Sequence, residues 1–396
     1  MPSRRDVLKT GALGAAGLLA GGAARYGAWS PAPLDPPEGT WLQPRYDDGN
    51  TGHNPDASPP TGDPSLAWTY DVAGAVNALA SGVGHLYVGT DHAVYAFADG
   101  DQHPRWDRAA SGYRIAVGPD VVVAVGRGMV AAFAASNGAL RWRHDVESRV
   151  YGVLVDQRTA YVGVDDRLDA YALDSGRRRW RVETGADTFP ALDGRHLLAG
   201  ASNLAAYEPR GALRGVLVDA PTRAWTSRDV FGPTRPVVTG NRIVAGETTC
   251  FQTETCGVNV VLPDGTREHY VELGNSAGSI ASDGDRAYVV SIQYGDSENG
   301  YNVPDSSTLH GIDVDTAEER WSFQRPGWFC PPVVANDTVY VGEAGNEHGD
   351  GNVYALDAET GETRWTYGEP NGVTVLAAVR DALLVGTDDG GVLELQ

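Results

Sequence analysis

The stretch "YALDAETGETRW", residues 354–365, decides how this chain folds. Apolar and polar residues alternate up to Asp357, the alternation breaks at Thr360-Gly361, and it resumes toward Trp365. That pattern predicts strand, tight turn, strand. The Asp357 carboxylate is placed to accept backbone N–H groups across the turn, and Gly361 to take the positive φ of a bulged hairpin. A single hairpin is marginal alone in water, so the rest of the chain must supply something for it to pack against.

The chain supplies copies of the same unit. "HGIDVDTAEERW" (310–321) keeps the spacing, with Gly311 for Ala and Ala317 for Gly; "AAFAASNGALRW" (131–142) keeps the spacing and the Gly. "YALDSGRRRW" (171–180) has a shorter turn, and "YAFADGDQHPRW" (95–106) is a worn copy. Upstream of the copies recurs a second apolar strand, most often running into Gly: "HLYVGTD", "VVVAVGR", "TAYVGVD", "HLLAGAS", "RIVAGET", "RAYVVSI", "TVYVGEA" and "ALLVGTD". The anchoring aromatics are Trp68, Trp106, Trp142, Trp180, Trp225, Tyr270, Trp321 and Trp365, spaced 36 to 51 residues apart. A unit of that length holds about four short strands, the content of one propeller blade.

The two ends predict how the ring closes. After Trp365 the chain makes three more strands, finishing "LLVGTDDGGVLELQ", without a final Trp strand. Before the first "YVG" it carries an extra one, "LAWTYDV" (66–72). The expected fold is all-β: an eight-bladed propeller of four-stranded antiparallel blades over residues 60–396. The strand near Trp68 completes the last blade. An open solenoid would need end caps, which the sequence does not show.

The motif Ala355, Asp357, Thr360, Gly361, Trp365 resembles the docking motif of PQQ-type β-propeller repeats. These build the quinoprotein alcohol dehydrogenases, and cofactor-free relatives include the outer-membrane assembly factor B lipoproteins. The resemblance covers roughly residues 60–396. It implies that the tryptophans wedge neighbouring blades together, with the small Ala and Gly letting them in, so the motif is a structural staple. The quinone-dependent enzymes typically carry adjacent cysteines, a calcium held by Glu and Asn side chains, and an Asp base. This sequence has no adjacent cysteines, and neither a calcium set nor a base can be placed by motif. No Ser–His–Asp nucleophile constellation is inferred from the sequence.

Candidate binding residues come from loops and from the innermost strands. The connection after the "YVG" strand lengthens in three consecutive units: "ETTCFQTETCGVN" (247–259), "IQYGDSENGYNVPDSST" (292–308) and "EAGNEHGDGN" (343–352). All three are expected on one face, around the channel mouth, where loops carry function. Aligned units place Asn77, Arg114, Tyr151, Thr188, Thr234, Gly278, Cys330 and Thr374 in a ring at the start of the innermost strands. Arg114, Tyr151 and the nearby Trp328 are candidates for a planar or anionic ligand; solvated or mutually satisfied channel residues are the plainer account. Asp296, Glu298, Asp305, Glu343, Glu347 and Asp350 make the long loops acidic and oxygen-rich, as calcium prefers, though no EF-hand spacing occurs. His53, His310 and His348 are scattered and read as surface or loop residues.

Composition narrows the partners. The formal charge is −21, from 31 basic and 52 acidic residues with a single lysine, Lys9. Such a balance argues against nucleic acid and resembles proteins of high-salt environments. Residues 1–28, with Arg4-Arg5 and an apolar Gly/Ala-rich run to Ala24, resemble a twin-arginine export signal, with Val7 where Phe is commoner. The run is short for a membrane span. A Sec signal and an uncleaved anchor are the alternatives. Residues 29–59 are Pro-, Asp- and Gly-rich, and Trp41 and Tyr46 are expected to anchor that lead-in, extended, over the propeller. Cys250 and Cys256 are close enough to form a disulfide in an exported protein, leaving Cys330 over.

These readings converge on an exported, extracellular or cell-surface, monomeric propeller. It is expected to act as a non-catalytic scaffold for other envelope or surface proteins, touching membrane only through an uncleaved signal. No cofactor is expected. The alternatives are a redox enzyme dependent on PQQ or a metal such as calcium, and a small-molecule or carbohydrate sensor, each using the channel mouth.

Overall fold

In the computed structural model, residues 29–82, 84–98, 101, 103–209, 220–248, 256–294, 304–344 and 351–396 are described. They form eight four-stranded antiparallel sheets arranged as the blades of a propeller. Blades 1 to 7 are continuous in sequence, over 76–108, 114–145, 150–183, 189–231, 237–272, 276–326 and 333–369. Blade 8 takes three strands from the C-terminus, Val373–Val379, Ala382–Thr387 and Gly391–Leu395, and its outermost strand, Leu66–Asp71, from near the other end. Trp68 pairs with Glu394 and Thr69 with Leu393, so the expected closure is the observed one.

Burial follows position within the blade. A strand near the axis is covered on both faces by the neighbouring blades, so it reads as a continuous apolar run; Val121–Gly126 and Thr159–Val164 are wholly buried. The outermost strands are covered only where they dock. In Leu140–Asp145 the one buried side chain is Trp142.

The recurrent tryptophans dock one blade on the next. Trp106, Trp142, Trp225 and Trp321 each donate the indole N–H to a backbone carbonyl in the turn of the following blade: Ala135 (3.2 Å), Leu173 (2.9 Å), Pro263 (2.9 Å) and Ala358 (3.1 Å). The turn glycine lies under the ring, where a Cβ at Gly361 would sit 2.6 Å from the Trp321 indole. Gly361 also has φ +72°, and Asp357 Oδ1 accepts the N–H groups of Glu359 (3.0 Å) and Thr360 (2.9 Å). Trp180 meets Trp29 of the lead-in edge-to-face at 5.3 Å, and Trp68 tilts against Phe97 of blade 1. Tyr270, the one substitute in the series, turns its hydroxyl to Glu247 of its own blade, 3.2 Å away.

The lead-in does more than lie across the surface. Between Trp41 and Asn54 it winds once around the axis and bonds in order to the last residues of all eight innermost strands. Trp41 pairs with Ser81 of blade 1, and the Leu42 carbonyl accepts from Val117 of blade 2 (2.8 Å). The Gln43 side chain bonds Val155 of blade 3 twice, through its amide N–H (2.8 Å) and its oxygen (3.2 Å). The carbonyls of Asp48, Gly49, Thr51 and Gly52 accept from Leu192, Val238, Ser282 and Val334 of blades 4 to 7, each at 2.8 Å. Asn54 Nδ2 donates to Ala378 of blade 8 (2.8 Å). Converging strand ends would otherwise leave buried N–H and C=O groups unmet, a cost of about 1–3 kcal/mol each. This ring seals one end of the channel.

Candidate functional site

Because innermost strands run away from the open end toward the sealed one, their first residues surround a blind cavity of about 520 Å3. Arg114 and Tyr151 line it from blades 2 and 3, Phe189 from blade 4, Arg235 from blade 5, Ser279 from blade 6 and Pro331 from blade 7. Arg45 of the sealing ring forms part of its wall. The volume lies within the range of small-molecule sites.

Three arginines set the electrostatics. Arg45 is buried and donates to the carbonyls of Ile280 (3.1 Å) and Pro332. Arg114 donates to the Tyr113 carbonyl (2.8 Å) and lies 4.4 Å from the centre of the Tyr113 ring. Arg235 lies over Phe189 at 5.6 Å. Burial, followed by the pull of the neighbouring guanidiniums, lowers Arg235 to about 9; burial lowers Arg45 to about 10 and also lowers Arg114. Arg45 and Arg235 therefore stay cationic at pH 7. Burial, with Asp187 and Asp165 beside it, pushes the Tyr151 hydroxyl up to about 12. Asp187 is the one carboxylate among the described lining residues.

Of the residues expected at the mouth, Arg114 and Tyr151 share this cavity, whereas Trp328 does not line it and is 45% exposed. Thr234 and Gly278 of the expected ring line it as well. Thr374 instead donates to the Gly386 carbonyl at 3.0 Å, and Cys330 is a free, buried thiol. Arg235 follows Thr234 directly and could have been read from the aligned units. Arg45 carried no such signal, since its place depends on the path of the lead-in.

The acidic loops are only partly within view. Glu343 is buried and accepts from Asn352 Nδ2 (2.9 Å) and the Tyr354 hydroxyl (3.0 Å), and Asp305 is exposed. Asp296, Glu298, Glu347 and Asp350 lie outside the described residues. Among the described residues no three carboxylate, histidine or cysteine side chains converge as metal ligands. Cys256 is disulfide-bonded, and Cys250 lies outside the described residues. The signal residues 1–28 and His348 are outside them too. No helix of the described residues is long and apolar enough to cross a membrane.

His310 is a correction to the surface reading. It sits in the strand Pro304–Asp313, 7% exposed, with Nε2 2.8 Å from Ser291 Oγ and Nδ1 3.4 Å from a Glu319 carboxylate oxygen. The order Ser–His–Glu is that of a hydrolase triad. However, Ser291 is only 1% exposed and lines none of the cavities described, so no substrate carbonyl reaches it. The contact holds adjacent strands of blade 6 together.

Exposed aromatics mark the open end. Strand direction puts Phe231 at the end of blade 4's outermost strand, Tyr294 at the end of a blade 6 strand, and Trp328 between blades 6 and 7, all on that face. Each is 44–45% exposed.

The family model described as outer membrane protein assembly factor BamB matches residues 88–255 and 259–396. No curated protein matches the chain. Among solved structures, BamB from Moraxella catarrhalis is 17% identical with a TM-score of 0.63, the match covering 84% of this chain and 100% of that one. The quinohemoprotein alcohol dehydrogenase ADHIIG from Pseudomonas putida HK5 is 14% identical with a TM-score of 0.71, covering 93% and 82%. The computationally designed Ika8 protein is 13% identical with a TM-score of 0.66, covering 84% and 98%. Identities this low show the shared fold alone, and that fold spans an assembly factor, an alcohol dehydrogenase and a designed protein.

Proposed function

The chain belongs to the family of the outer membrane protein assembly factor BamB, and from that premise we propose that it is an exported, non-catalytic propeller whose open face binds another envelope or surface protein. The observation that carries this reading is the exposure of Phe231, Tyr294 and Trp328 on the unsealed face. Aromatic side chains anchor protein interfaces because they bury much area at little conformational cost. The acidic surface, −21 for the full chain, favours a partner with a basic or salt-tolerant contact face. Export by the twin-arginine route accounts for residues 1–28 in the same scheme.

A redox reading rests on the fold shared with the Pseudomonas putida dehydrogenase. The described residues supply cations in the channel but no metal donor set, and the sequence has no adjacent cysteines.

The test is cross-linking of the full chain in its own cell envelope, comparing wild type with the triple variant Phe231→Ala, Tyr294→Ala, Trp328→Ala. The control replaces Leu66 and Leu140, which are exposed on the sealed face. A defined adduct lost only in the rim variant supports the reading. An adduct pattern indifferent to the rim overturns it.

A further inference from the structure

The arginines of the blind cavity are set apart by their convergence. Some arginines elsewhere are met by carboxylates, Arg364 by Asp337 and Asp357, Arg320 by Asp313 and Glu318, Arg242 by Glu268 and Asp315; others, such as Arg108 and Arg325, rest on carbonyl oxygens and ring faces, but singly. With 52 acidic residues against 31 basic, a counter-charge is the easiest thing for this sequence to provide. Yet Arg45, Arg114 and Arg235 have no ion pair among the described residues, only carbonyl oxygens and ring faces. Those contacts solvate a guanidinium without neutralising it, and the Arg114 cation, after burial, helps lower both Arg45 and Arg235. Three cations face a single lining carboxylate, Asp187, so the cavity carries an excess of positive charge that a ligand from outside can meet.

We infer that the cavity binds a small organic anion carrying two or more carboxylates, with Arg45, Arg114 and Arg235 as its counter-charges. The arginines approach from the sealing ring, blade 2 and blade 5, which suits carboxylates pointing in different directions from one carbon skeleton. Each guanidinium fork can meet a carboxylate with two parallel hydrogen bonds. Phe189 and Tyr151 give the skeleton apolar and aromatic walls, and the closed floor keeps the charges out of bulk water. A cavity of about 520 Å3 is far larger than one inorganic ion needs. This site goes beyond the docking reading and does not depend on it.

The experiment is titration of the full chain with citrate, at fixed ionic strength, by calorimetry and by thermal melting. Acetate and sulfate serve as the single-carboxylate and compact-anion comparisons. Citrate should bind saturably, one per chain, and raise the melting temperature, while acetate should not. Arg114→Gln and Arg235→Gln should each weaken citrate by at least about tenfold, as expected for a lost charged hydrogen bond. Neither should lower the melting temperature without ligand, since each removes an unpaired, half-buried charge from beside two others. Arg235→Lys, which keeps the charge but loses the fork, should bind at an intermediate level. Trp328→Ala should leave citrate binding intact, which separates this site from the rim. No saturable citrate binding overturns the inference, as does sulfate binding as tightly as citrate, or citrate binding unchanged in the arginine variants.

Discussion

Trp365 donates its indole N–H to the carbonyl of Pro60, 2.9 Å away and 305 residues earlier in the chain. In the four docking contacts described above, the tryptophan reaches forward 29 to 38 residues to the next blade's outer turn. Blade 8 has no such turn, because its outermost strand comes from the other end of the chain. Pro60 stands where the turn would be, and the Tyr340 hydroxyl also donates to it at 3.2 Å. The ring is thus closed by a strand pairing and by this contact together. Trp365→Ala should cost about 3–5 kcal/mol by denaturant unfolding, as large aromatic truncations do. Trp365→Phe should cost less, keeping most of the packing while losing the hydrogen bond. A Trp365→Phe variant as stable as the wild type would show that the bond to Pro60 contributes nothing.

Glycine and alanine in the turns predict effects of opposite sign. Gly361 has φ +72° under the Trp321 ring, so Gly361→Ala meets both backbone strain and a clash and should destabilise by about 2 kcal/mol or more. Ala317 holds φ +56° at the matching position of blade 6, where the preceding blade offers Tyr270 in place of Trp. Ala317→Gly relieves that strain and should raise stability by up to about 1 kcal/mol, the gain reduced by the extra freedom of Gly in the unfolded chain. Chemical denaturation of both variants measures the pair, and a destabilised Ala317→Gly would refute the account.

The sealing ring should respond to pH. Burial, with Asp47 and Asp156 nearby, pushes the Asp48 carboxyl up to about 8, and burial raises Asp47 to about 6. A carboxyl whose native pKa exceeds its unfolded value binds more protons when folded. Stability should therefore rise as pH falls from about 8 toward 5, by at most about 1.4 kcal/mol per pH unit for each group. Asp357, held at about 2 chiefly by Arg364, and Asp313, held there by the Thr316 N–H and Arg320, act in the opposite sense, so stability should fall again below about pH 4. Melting temperatures from pH 3 to 9 check this, and Asp48→Asn should flatten the alkaline limb. A melting temperature that climbs steadily to pH 9 would contradict it.

Cys330 should be silent in the native protein. Its thiol is buried, and desolvation pushes it up to about 12, so almost no thiolate exists at neutral pH. Iodoacetamide should label it only after unfolding. Fast native-state labelling would mean that the channel wall opens there.

The sequence alone determined the repeating unit, the blade number and the closing strand. Those follow from local rules: period-two patterning, an Asp-to-Gly turn, and one large ring per outermost strand, each written within about a dozen residues, as in "YALDAETGETRW". It also offered Arg114 and Tyr151, because aligned repeats superpose equivalent positions. Tertiary structure alone decided that Arg45 joins Arg114 and Arg235, that Trp328 faces solvent, and that residues 41–54 seal one end of the channel. The physical reason is that the lead-in is not a repeat. Its Gln43, Asp48 and Asn54 find partners only where eight strand ends already converge, and no local pattern in the chain encodes that convergence.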